Sequence, residues 1–129
     1  MEVSEPVVGA HDLLVEVERV GICGTDVEFF TGDMAYLASG EANFPLRIGH
    51  EWCGRVIAIG ESVDSRWLNK FVTSDTMLGC QKCQRCLSGF QYLCSDRDEV
   101  GIRRGFPGAL AEKIVIPDFA ILELPDDMD

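Results

Sequence analysis

Basic charge is scarce in this chain: 129 residues carry 22 aspartates and glutamates but only 11 lysines and arginines. The resulting formal charge of −11 excludes a phosphate-neutralising nucleic-acid surface and favours solubility. Long apolar runs are missing as well. None approaches the roughly 18 residues that cross a bilayer as a helix, so no membrane partner is expected. The opening MEVSEPVVGAHDLL has neither a basic n-region nor an apolar h-region, so no secretory signal is expected there. A cytoplasmic setting, where thiols stay reduced, is the resulting expectation. There is no internal repeat or low-complexity tract. No G-x-G-x-x-G follows a strand, and GIRRGFPG has the wrong spacing to cradle a dinucleotide. What remains is one ordinary domain, residues 1–129, whose 47% apolar content suffices for a real core.

The patterning is that of short strands. DLLVEVERVG alternates, with Val15 and Val17 on one face and Glu16 and Glu18 on the other. EWCGRVIAIG reads as a second strand, whose Gly54 permits a bulge or a close backbone approach. NKFVTSDT, ALAEKIVIP and FAILELP supply three more, the last two stopped by proline. TDVEFFTGD predicts a short helix capped by Thr25 or Asp26 and ended by Gly32, and residues 33–47 read as loop. The expected fold class is mainly β, a partly closed barrel or sandwich with little helix.

Six cysteines in a reducing compartment point to metal or redox chemistry before disulfides. Four of them, Cys80, Cys83, Cys86 and Cys94, follow C-x2-C-x2-C-x7-C inside a lobe of about residues 78–96. Tight turns between the first three deliver converging sulfurs, as a tetrahedral zinc needs, and four protein ligands leave no open position. Such a site is structural. An iron–sulfur cluster is the competing assignment, because C-x2-C-x2-C also opens ferredoxin patterns. There, however, proline normally follows the fourth cysteine, and here Ser95 does. Plain buried thiols are the third possibility. Lys82 and Arg85 would offset part of the thiolate charge.

Cys23 in GICGTD and His50-Glu51 in GHEWCGRV are metal-capable groups at strand ends. Three protein ligands with one open position make a catalytic zinc. On spacing alone, a buried small thiol and a hydrogen-bonded histidine explain them equally well.

Taken in order, VGICGTD, GHEWCGRVIAIG and the four-cysteine spacing resemble the zinc-containing medium-chain alcohol and polyol dehydrogenases. The resemblance extends from about residue 12 to residue 125 and includes GALAEKIVIP. It implies a GroES-like catalytic domain in which Cys23 and His50 bind a catalytic zinc. It implies Glu51 as a carboxylate ligand, or one that exchanges with water. Thr25 matches the hydroxyl that passes on the alcohol proton, and Asp26 the carboxylate that orients His50, although either can equally be a helix cap. Cys53 matches no ligand position and reads as buried packing. Glu28 stands where the classical alcohol dehydrogenases place a histidine to finish the proton relay. CGTDVE resembles the sugar and polyol branch, glucose dehydrogenases included, and Glu28 is there either a relay or sugar-binding carboxylate or equally a plain solvated helix residue. By this resemblance zinc lowers the pKa of a bound alcohol, and hydride passes to NAD or NADP on a separate Rossmann domain of the full-length parent. That domain is absent from these 129 residues, so the chain alone is expected to be inactive. A small alcohol or polyol substrate and a homo-oligomeric state are the expected partners. The alternative is a stand-alone zinc-binding GroES-like module without redox activity.

Overall fold

The structure, a computed structural model, describes residues 2–128. Its framework is a five-stranded antiparallel sheet. The strands are β1 (Asp12–Gly21), β2 (Glu51–Ile59), β3 (Phe71–Ser74), β6 (Lys113–Pro117) and β7 (Ile121–Glu123), in the order β6-β1-β2-β3-β7. The sheet does not close, since β6 and β7 are its two edges. A two-stranded ribbon, β4 (Met77–Leu78) with β5 (Asp98–Glu99), stands beside it and brackets the cysteine lobe. The mainly β expectation holds, with an open sheet rather than a closed barrel.

Alternation builds the core. Leu13 and Val15 of β1, Trp52 and Val56 of β2, Val72 of β3, Ile114 and Ile116 of β6 and Ile121 of β7 meet in one buried cluster. Each large side chain withdrawn from water there contributes about 1.5–3 kcal/mol. Gly54 shows why β2 needs a glycine: a methyl group there would collide with the Glu16 carbonyl oxygen across the ladder. The register between β1 and β2 also shifts on either side of Gly54's partner, Val17.

Several expectations need correction. Helix α1 (Gly24–Thr31) is present and ends in left-handed Gly32, but its N-cap is Cys23, not Thr25 or Asp26. A thiol sulfur takes the role usually given to an oxygen. Residues 33–47 are not all loop, because α2 (Ala35–Ser39) forms there. Nearby, Tyr36 and Leu37 pack with Phe29, Ala42 and Ile102 in a second small cluster. The cysteine lobe contains one turn of helix, α3 (Gln84–Leu87), which its polar composition hid. Cys53 lies half-buried on the face opposite Trp52 and Val56 rather than in the core.

Candidate metal centres

The pairing of β1 with β2 assembles the first centre. Gly21 pairs with Glu51, so the residues just past the end of β1 and just before the start of β2 are neighbours. Cys23 Sγ and His50 Nε2 consequently lie 2.8 Å apart, although 27 residues separate them in sequence. Gly49 makes the approach possible: its φ is 99°, and a Cβ there would press on Leu110 at 2.9 Å. Gly21 likewise leaves room for Glu51, whose carboxylate oxygen would meet an added Cβ at 2.9 Å. Donor atoms of Cys23, His50 and Glu51 all lie within 4.8 Å of one another, with Glu51 on the solvent side.

Helix α1 holds the sulfur in place. The Thr25 N–H donates to Cys23 Sγ (3.3 Å), and the Cys23 N–H donates to Asp26 Oδ2 (3.0 Å). The electron-rich sulfur therefore faces the positive end of the helix. Asp26 is 3% exposed, and its second oxygen, Oδ1, lies 3.7 Å from His50 Nδ1. Neither atom has a hydrogen-bond partner within the protein. A buried carboxylate facing an unpartnered ring nitrogen is costly unless that nitrogen carries a proton. A metal on Nε2 fixes that tautomer, so the donor set fits a divalent cation. Thr25 is half-buried beside the sulfur. Glu28 lies on the exposed side of α1, outside the cluster. Thr76 Oγ1, which donates to the His50 carbonyl at 3.4 Å, went unnoticed in the sequence; no motif marks it.

The second centre is the cysteine lobe. Cys80 and Cys86 sulfurs are 3.9 Å apart, and those of Cys83 and Cys94 are 3.8 Å apart. A regular tetrahedron with metal–sulfur bonds of about 2.3 Å has edges of about 3.8 Å. The spacing is far too long for a disulfide. N–H groups of the tight turns aim at the sulfurs: Cys83 N–H toward Cys80 at 3.4 Å and Cys86 N–H toward Cys83 at 3.5 Å. Gly79 admits the Cys86 sulfur, which would stand 2.6 Å from a Cβ at that position.

Those turns split the thiols. Backbone N–H groups of Lys82 and Cys83 bring Cys80 down to about 6, while burial pushes Cys86 up to about 12. At neutral pH the metal-free lobe therefore offers a Cys80 thiolate and a Cys86 thiol. A metal bound by both must expel the Cys86 proton. Uptake is thus expected to strengthen by at least about tenfold per pH unit between pH 6.5 and 8, the share of the Cys86 proton alone. Below about pH 6 the Cys80 thiolate is lost too and the slope steepens. Competition against a chromophoric chelator at several pH values measures this, and a profile flat between about pH 6.5 and 8 would mean that Cys86 meets the metal already as a thiolate.

Over residues 9–126 the chain matches the alcohol dehydrogenase GroES-like domain. The chain belongs to that family. It is 35% identical over 127 residues to the L-threonine 3-dehydrogenase of Salmonella typhi, an alignment covering 98% of this chain and 36% of that protein. A zinc-binding dehydrogenase of Sinorhizobium meliloti 1021 with NADP bound superposes with a TM-score of 0.84 at 33% identity, covering 98% of this chain and 35% of the other. Galactitol-1-phosphate dehydrogenase of Escherichia coli gives 0.82 at 29% identity, with 100% and 35% covered. The chain thus spans about a third of the length of the relatives it matches and corresponds to the N-terminal catalytic domain of zinc-dependent dehydrogenases. Among the described residues, no helix is long and apolar enough to cross a membrane.

Proposed function

We propose that residues 1–129 form the zinc-binding catalytic domain of an NAD(P)-dependent dehydrogenase acting on a polar secondary alcohol of the polyol, sugar or hydroxy-amino-acid class. The observation that carries this reading is the Cys23–His50 pair, with Asp26 buried behind the imidazole and Glu51 open to solvent beside it. Zinc bound there would supply Lewis-acid activation, lowering the pKa of a coordinated alcohol. The chain's own residues do the rest. Cys23 and His50 would hold the ion, and Asp26 would keep the His50 Nδ1 proton in place. Glu51, exposed and at the rim, is the ligand best placed to give way to substrate. Thr25, half-buried next to Cys23, would accept the alcohol proton while passing its own onward, and Glu28, one turn along on the exposed side of α1, would take it up only through solvent. The four cysteines of the lobe of about residues 78–96 would hold a second zinc and leave it no open position. The substrate class rests on the relatives' names, which include a threonine and a galactitol-1-phosphate dehydrogenase. The cofactor class rests on the NADP-bound structure.

Cobalt(II) substitution of the metal-free chain tests the open-site reading. Two ions should enter, and the visible bands of only one should shift on adding a small alcohol or polyol. A single ion with bands blind to added ligand would instead leave the stand-alone zinc module as the better description.

We also place the chain in a homo-oligomeric enzyme. Phe30 of α1 is 92% exposed and Val7 88%, and Phe119 and Leu122 next to edge strand β7 are about half exposed. Leu13 and Ile121, which resemble these in sequence, are in the core instead. Apolar groups at an open sheet edge favour contact, while the charge of −11 is screened beyond about 8 Å at physiological salt. Sedimentation equilibrium should therefore give a species heavier than 14.2 kDa, and a clean monomer at micromolar concentration would count against it.

A further inference from the structure

The fourth sulfur of the lobe is the one its own turns position least. Cys80, Cys83 and Cys86 lie within one tight run and share N–H···S contacts, whereas Cys94 follows after seven intervening residues. Its N–H closes the preceding turn on the Gln91 carbonyl (3.0 Å), but its own carbonyl is held from outside that turn. Arg97 Nη1 donates to the Cys94 carbonyl (3.0 Å). Arg103 Nη1 donates to the Arg97 carbonyl (2.8 Å), and Arg103 Nη2 reaches toward that of Ser95 (3.5 Å). Two guanidinium groups thus hold three consecutive-region carbonyls around the ligand.

Each guanidinium is held by a carboxylate. Arg97 Nε donates to Glu99 Oε1 at 2.7 Å, and Arg103 Nε donates to Glu41 Oε1 at 2.9 Å. Tyr36 joins the two halves. Its hydroxyl donates to Glu99 Oε1 (3.0 Å) and accepts from Arg97 Nη2 (3.0 Å), and its ring lies 5.6 Å beneath the Arg103 guanidinium. Burial, and then the Glu99 carboxylate, push the Tyr36 phenol above its ordinary value, so it stays a donor. Glu99 is 3% exposed. Charged pairs this sheltered are held rigidly, and losing one partner leaves the other uncompensated.

We propose that this arginine–carboxylate clamp, centred on Glu99, positions Cys94 for metal, so that metal retention in the lobe depends on Tyr36 and Glu41, more than 60 residues from their clamp partners in sequence. The inference rests on the reading of the four cysteines as a metal site. Glu99 and Tyr36 are positioning residues; neither touches the ion.

Transfer of zinc from the loaded chain to excess chromophoric chelator reads the clamp directly. Glu99→Gln, which keeps shape but removes the charge, should release the lobe's zinc at least tenfold faster. Tyr36→Phe, which removes one hydroxyl, should do so about threefold faster. Arg104→Ala should match the wild type, since the exposed Arg104 side chain pairs, among the described residues, with Asp96 and Asp98 alone. A merely structural loss would leave metal coordination unchanged. Cobalt(II) in the Glu99→Gln lobe should instead lose about a quarter of its thiolate charge-transfer intensity, as one of four sulfurs drifts off. Wild-type release and a four-thiolate spectrum in Glu99→Gln would overturn the clamp. If that variant fails to fold, wild-type release in Tyr36→Phe would overturn it. A wild-type chain whose cysteines take up no metal would sink the metal-site reading and the clamp together, a result distinct from either.

Discussion

Cys80→Ser should empty the lobe's metal site and make the chain at least tenfold more sensitive to trypsin at Lys82 and Arg85. The reason is that the lobe has no apolar core. Within residues 79–95 only Gly79 and Cys94 are buried, while Leu87, Phe90, Tyr92 and Leu93 point into solvent. The local order must come from elsewhere, and a structural metal contributes its binding free energy directly to folding. Serine removes a thiolate ligand at the position where the turn most favours one. The sheet core, with Val15, Val56, Val72 and Ile114, lies outside the lobe. Opening should therefore be local, confined to residues 78–96. Cys23→Ser is the comparison. It keeps a helix cap, because a serine oxygen caps as well as a sulfur, and should leave trypsin sensitivity near wild type. Equal cleavage rates in the two variants would mean that the two cysteine sites do not play different roles.

How legible all this was depended on how local the cause is. The strands were readable because alternation such as Leu13-Val15 against Glu16-Glu18 is itself the burial pattern. The four-cysteine spacing was readable because turn geometry is set by the residues between the ligands. Helix α2 was not, since Ala35–Ser39 is too short to show a period and stands next to a contact cluster from distant segments. The β4–β5 ribbon was missed for the same reason: two residues on each side carry no pattern. The cap was misassigned because cysteine is rarely credited as an acceptor, and only the fold reveals that Thr25 N–H aims at it. The clamp around Cys94 was beyond reach. Tyr36, Glu41, Glu99 and Arg103 are charged or polar residues with no spacing in common, and only long-range packing brings them together.

Asp26 offers the sharpest test of the first centre, because two roles compete for one side chain. Its Oδ2 accepts the Cys23 N–H and so closes the capping box behind the Cys23 N-cap of α1, while its Oδ1 faces the unpartnered Nδ1 of His50. Asp26→Asn preserves size and can still accept the Cys23 N–H through its carbonyl oxygen, but it removes the charge that holds the imidazole tautomer. If Asp26 orients His50 toward a metal, zinc affinity at Cys23–His50–Glu51 should fall about 10–100-fold in the Asn variant. Asp26→Ala should show the same loss and, in addition, about 1 kcal/mol of helix-cap stability. The four-cysteine lobe is an internal control, since none of its ligands is among the partners of Asp26. Its affinity should not move in either variant. Competitive titration of the two sites separates the roles. An Asn variant with wild-type affinity beside an Ala variant that loses only stability would reduce Asp26 to a helix cap. Equal drops in both variants would instead mean that the buried Asp26 Oδ1, which lacks a hydrogen-bond partner, is tolerated because it faces the Nδ1–H of a metal-bound imidazole.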